Sequence, residues 1–122
     1  MKRMLLAVVL LGLSSVSFAA FMNGHQLQSH MSACDKYHAG NETGDYYREC
    51  GIAKSYVGAG FDTTQFLVER WLIERRFCKP DDVDRNQLVD TVKKYMLDHP
   101  EQLKFSAAGI IYDALTQAYP CE

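Results

Sequence analysis

Four cysteines constrain this chain more than any other feature, because Cys34, Cys50, Cys78 and Cys121 all lie downstream of an export signal. The opening stretch MKRMLLAVVLLGLSSVSFAA has a basic start at Lys2 and Arg3, an apolar run from Met4 to Leu13 and small residues from Ser14 to Ala20. That pattern is a secretory signal peptide. Its apolar run falls short of the roughly 18 to 20 residues that span a bilayer, so cleavage is expected rather than anchoring. Ser17 and Ala19 occupy the −3 and −1 positions of a cut after Ala19, and no cysteine follows the run to accept a lipid. Residues 1–19 are therefore read as the signal peptide and residues 20–122 as one small helical domain. An even number of cysteines in an oxidising compartment reads as two disulfides.

Four cysteines allow three connectivities. Cys34 with Cys50 and Cys78 with Cys121 is the favoured one, since each pair joins the ends of neighbouring helical segments. On the loop-entropy argument the two links stabilise the fold by about 3 and about 4 kcal/mol. A domain of this size buries only about two thirds of its chain's surface and gains from such links. They also explain why a cysteine stands next to last in the chain, at AYPCE, where ends usually fray.

Apolar periodicity predicts helices throughout. Asn23 caps a first helix from Gly24 to about Tyr37, with Leu27, Met31 and Cys34 on one face. After the loop HAGNETGD, a second helix starts near Asp45 and carries Tyr46, Cys50, Ala53 and Val57 inward. Gly58 and Gly60 predict a break or kink near Gly60, with Asp62 and Gln65 as a new capping box. The following FLVERWLIERRF is apolar on more than one stripe, so it is either deeply buried or has a second face for a partner. Asp84 and Gln87 open a further helix to about Asp98, with Leu88, Val92, Tyr95 and Met96 inward. His99 before Pro100 stops it, and Ala107, Ile111, Ala114, Leu115 and Ala118 form a last stripe that Pro120 ends. No stretch alternates as a strand would. The fold class is all-α, a compact bundle of four to five helices stapled by two disulfides.

The chemistry-bearing residues point to binding. His30, Cys34 and His38 share one helical face at i, i+4 and i+8, a spacing a zinc site can use. Cys34 has the better-supported task of a disulfide, and the same objection meets a cysteine and histidine catalytic pair, whose thiolate must be free. No phosphate-cradling glycine loop, His-Glu-x-x-His or Gly-x-Ser-x-Gly is present. With the leader removed, 11 of the 13 basic residues remain against all 15 acidic ones, a formal charge of −4. A nucleic-acid binder would call for a clustered basic surface instead. The reading is a binding protein with no enzymatic activity, no catalytic residue, no cofactor and no metal.

Beyond these residue-level arguments, the segments FMNG, CGIAKSYVGAGFD, FCKP, QLVDTVKKYMLDHPEQL and SAAGIIYDALTQAYPC resemble the Rap/Tai-type immunity proteins associated with type VI secretion amidase effectors. The similarity covers most of the exported chain. It implies a small helical protein of the Gram-negative periplasm that binds a cognate peptidoglycan amidase and occludes its active site. It also implies a homodimer, with neither nucleic acid nor, after signal cleavage, a membrane among its partners. The resemblance itself assigns no contact residue; the exposed candidates for a contact loop are Lys79, Asp81 and Asp82 on one helix connection or Glu101, Gln102 and Lys104 on another. The competing reading is a periplasmic stress or chaperone-like helical binding protein with no toxin partner.

Overall fold

The computed structural model describes residues 21–122, and the signal peptide read at residues 1–19 lies outside the described residues. Four helices follow in order: α1 (Gly24–His38), α2 (Gly44–Glu69), α3 (Arg85–Asp98) and α4 (Ala107–Ala118), with a 3-10 turn at Pro100–Gln102 between the last two. All four starts are fixed by a capping side chain, Thr43 accepting from the Tyr46 amide at α2, and two of the caps are announced by the sequence. The Asn23 side chain accepts from the Gln26 amide while the Gln26 side chain accepts from the Asn23 amide, and Asp84 with Gln87 repeats this reciprocal box. Ser106 accepts from the Gly109 amide at the head of α4. Each cap satisfies amide donors that the first helical turn leaves without partners.

The core gathers one face of every helix. Leu27, Met31, Ala53, Val57, Val92, Met96, Ile110, Ile111, Ala114 and Leu115 are all nearly inaccessible, and Phe77 joins them from outside any helix. Val89 and Ile110 are also buried, beside the inner stripes read from the sequence. Ala118, read as inward, is exposed and lines an open groove between α3 and α4. Tyr95 is half-buried in the same groove.

Backbone stitches close the bundle at both ends of α4. Gly24 donates to the Phe105 carbonyl, His25 to Leu103 and Ala107 to Met22, at 3.0, 3.0 and 2.9 Å, so the start of α1 is sewn to the start of α4. At the other end, Phe77 and Pro120 form an isolated bridge and Cys78 donates to the Tyr119 carbonyl at 2.8 Å. The disulfides are Cys34–Cys50, between α1 and α2, and Cys78–Cys121, across that second stitch.

Two expectations from the sequence are corrected. The chain does not break at Gly60, because α2 runs without interruption through Gly58 and Gly60 to Glu69. The glycines serve close packing: a β-carbon at Gly60 would stand 3.2 Å from Ile111, and Gly58 lies along the aliphatic stem of Arg85. Two glycines cost a helix about 2 kcal/mol of propensity, which tertiary packing overrides. Asp62 and Gln65 therefore form no cap, and Thr64 bonds back to the Gly60 carbonyl as a mid-helix residue does. The second correction concerns FLVERWLIERRF, which is neither one helix nor deeply buried. The helix ends at Glu69, Phe66, Trp71, Leu72 and Ile73 are exposed, and only Phe77 reaches the core.

Gly24 and Gly51 give opposite expectations on substitution. A β-carbon at Gly24 would meet Ile110 at 2.5 Å and the Leu103 backbone at 2.6 Å, whereas one at Gly51, within α2, would meet nothing. Gly24→Ala is expected to cost about 1–3 kcal/mol by overpacking. Gly51→Ala is expected to add about 0.5–1 kcal/mol by removing glycine from a helix interior. Urea midpoints of the two variants at unchanged m-value check both signs.

Candidate functional site

The two connections singled out in the sequence sit at opposite ends of α3, so the fold does not bring them into one cluster. In the first, Lys79 is an organiser of its own turn. Its ammonium donates to the carbonyls of Pro80 and Val83 at 2.8 and 2.9 Å and stands 5.8 Å over the Phe61 ring. The turn is thereby held closed ahead of the Asp84 cap, while Asp81 and Asp82 are exposed at its tip. Beneath it runs a groove of about 460 Å³ whose walls include Gly58, Ala59 and Asp62 of α2 together with Lys79, Val83 and Arg85. Lys79 and Arg85 make no ion pair with a carboxylate among the described residues.

The second connection is anchored from below. Leu103 is buried and its carbonyl holds the His25 amide, Phe105 holds Gly24, and Glu101, Lys104 and the partly covered Gln102 form the outer surface. His99 faces Glu101 at 3.4 Å and stacks on Tyr95 at 4.3 Å between centroids. Burial, followed by the negative charges of Asp113 and Glu101, pushes the Tyr95 phenol above its ordinary pKa. Asp98 is held below the usual carboxylate value by the hydrogen bond and then the charge of Lys94, at 2.7 Å. Both groups therefore keep their ordinary neutral-pH states, a phenol and a carboxylate, and neither is poised for proton transfer.

Two of the three residues weighed for metal or catalysis have other partners. Cys34 is bonded to Cys50, His30 Nδ1 meets the Glu49 carboxylate across the α1–α2 contact, and His38 is exposed at the end of α1. Among the described residues no group of three metal-binding side chains comes together.

The first of the two connections follows directly on an exposed apolar stretch. Residues 70–76 leave the end of α2 as an arm carrying Trp71, which is 93 % exposed, together with Leu72 and Ile73. The signal was present in FLVERWLIERRF, whose apolar residues exceed one helical stripe, but periodicity does not say where the helix stops. What stops it is a paired closure, Trp71 N–H to the Val68 carbonyl and Leu72 N–H to the Leu67 carbonyl, at 3.0 and 2.9 Å.

The two disulfides differ in access, and this separates their chemistry. Cys34 and Cys50 are buried, whereas Cys78 and Cys121 are exposed. Thiolate attack needs access to sulfur, so limited reduction is expected to open Cys78–Cys121 first. Alkylation and peptide mass mapping after graded reductant should label Cys78 and Cys121 before Cys34 and Cys50, with helical circular dichroism retained. Labelling in the reverse order would contradict this.

No curated protein matches the chain. The family comparison is decisive: the profile of the Rap1a immunity proteins matches residues 23–121, from the Asn23 cap of α1 to the terminal Cys121, and so takes in all four helices and both disulfides. The chain belongs to the Rap1a immunity protein family.

Proposed function

We propose that this protein is a periplasmic immunity factor that binds a peptidoglycan amidase delivered by type VI secretion and covers its active site, without catalysis or a cofactor of its own. The observation that carries the reading is the family match over residues 23–121. Two disulfides suit an oxidising compartment, and among the described residues no helix is long and apolar enough to cross a membrane. Blocking an enzyme asks for a pre-organised surface, since ordering a loop on binding subtracts from affinity. Cross-linked helices with capped ends meet that requirement.

The contact surface proposed is the pair of connections flanking α3, with Lys79, Asp81 and Asp82 on one side and Glu101, Gln102 and Lys104 on the other. A helix of 14 residues separates them by about 21 Å at 1.5 Å per residue. A standard interface of about 800 Å² per partner is roughly 30 Å across, so one enzyme can touch both. The protein is further proposed to act as a homodimer.

The cognate amidase is proposed to be encoded in an adjacent reading frame, and titrating the purified protein into that enzyme, with peptidoglycan as substrate, tests this. Hydrolysis should cease at close to one protomer per enzyme, and the free protein should show twice the protomer mass by light scattering. Undiminished hydrolysis at excess protein would overturn the inhibitor reading, and a single-protomer mass would overturn the dimer.

A further inference from the structure

Trp71 stands in a position whose physics does not call for tryptophan. It is the residue just past the end of α2, in the left-handed backbone region at φ 58°, where the helix-closing pair of hydrogen bonds is made. Glycine is the residue that fills this place at no steric cost, and a bulky side chain there is strained. Strain of this kind persists when the side chain is repaid by packing, yet the Trp71 ring is 93 % exposed. Leu72 and Ile73 beside it and Phe66 one turn earlier are exposed as well. Among the described residues the two closing hydrogen bonds are made by the backbone alone, as glycine would make them, and no burial of the ring offsets the conformational cost of Trp71.

We propose that Trp71 is the anchor by which the protein engages its effector, seated in an apolar pocket of that enzyme with a carboxylate-bearing rim; this rests on the immunity reading above. The charge around the tip identifies the rim. Across residues 69–76, Arg70, Arg75 and Arg76 stand against Glu69 and Glu74, a net positive segment in a domain that is acidic as a whole. Arg76 pairs with Glu74, but Arg75 donates to the neutral Gln65, and Arg70 lies over the Phe66 ring at 5.5 Å without a carboxylate. Two guanidinium groups are thus available beside a protruding tryptophan, the composition of an interface hot spot. A second copy of this chain is a poorer match. Three grooves between its own helices each hold one aspartate, but Asp98 and Asp35 are already paired with Lys94 and Lys93, and Asp62 shares its groove with Lys79 and Arg85.

The arm is also well held. Its far end is fixed by Phe77 in the core and by the Cys78–Cys121 disulfide, and its near end by the closed terminus of α2. An anchor presented between two fixed points loses little freedom on binding.

Trp71→Gly separates a binding role from a structural one, because glycine suits the left-handed backbone. The oxidised full-length exported protein and its Trp71→Gly and Trp71→Asn variants would be compared for thermal midpoint, self-association and affinity for the amidase encoded in the adjacent reading frame. The variants should unfold at the same temperature or higher and keep the same self-association, while affinity for the amidase falls about 30-fold or more. Trp71 is the sole tryptophan of the chain, so the emission lost in the variants reports its own environment, and that difference emission should shift to the blue in the complex. A lowered thermal midpoint would make Trp71 structural, and lost self-association with retained amidase affinity would give the arm to a second copy. Wild-type affinity in both variants would remove the anchor and leave the immunity reading standing. Absence of amidase binding by the wild type would overturn both.

Discussion

The insertion of Phe77 into the helical core, with Cys78 bonded beside it to the end of the chain, is the contact on which the surface of this protein depends. Residues 70–84 contain no helix, and without a fixed point a segment of that length would sample many shapes. Phe77 is only 2 % exposed and packs its ring near Phe61 of α2 and Tyr112 of α4. Pro120 bridges it, Tyr119 accepts the next amide, and Cys121 closes the link covalently. One aromatic side chain and one disulfide therefore turn the end of α4 and the middle of the long connection into a single unit. What lies on either side, the arm at 70–76 and the turn at 79–83, inherits its position from that pin.

The other disulfide performs the same service for α1 and α2, which share the most extensive helix contact in the molecule, but in the interior. The division suits the inhibitory role proposed above. A protein that blocks an enzyme needs a body that does not yield and a surface that differs from one cognate pair to the next. Helix faces supply the body, and the connections before and after α3 carry the residues free to vary without touching the core.

Much of this was legible in the sequence, for reasons that are local. Asn23 with Gln26 and Asp84 with Gln87 announce helix starts because a capping side chain acts within four residues. The pairing of cysteines followed from the order of the helices they flank, and His99 before Pro100 marked the end of α3. The misreadings were tertiary. Gly58 and Gly60 look like breakers until Ile111 and Arg85 are seen to need the space above them. The apolar stretch from Phe66 to Phe77 reads either as buried or as a face for a partner, because composition does not place the end of the helix, and the structure removes the buried alternative for all but Phe77. The connections flanking α3 could be nominated as exposed links between helices, whereas the exposure of Trp71 and its neighbours emerged only once the end of α2 had a position.

Amide hydrogen exchange on the oxidised protein, alone and saturated with the amidase from the adjacent reading frame, tests most directly the claim that a rigid, pinned scaffold presents residues 70–76 to a partner. The Cys78 amide and the four helices should be protected in both states, while amides of residues 73–76 exchange freely in the isolated protein and become protected in the complex. Unchanged exchange across residues 70–76 in a complex that inhibits the enzyme, or rapid exchange at Cys78 in the free protein, would contradict it.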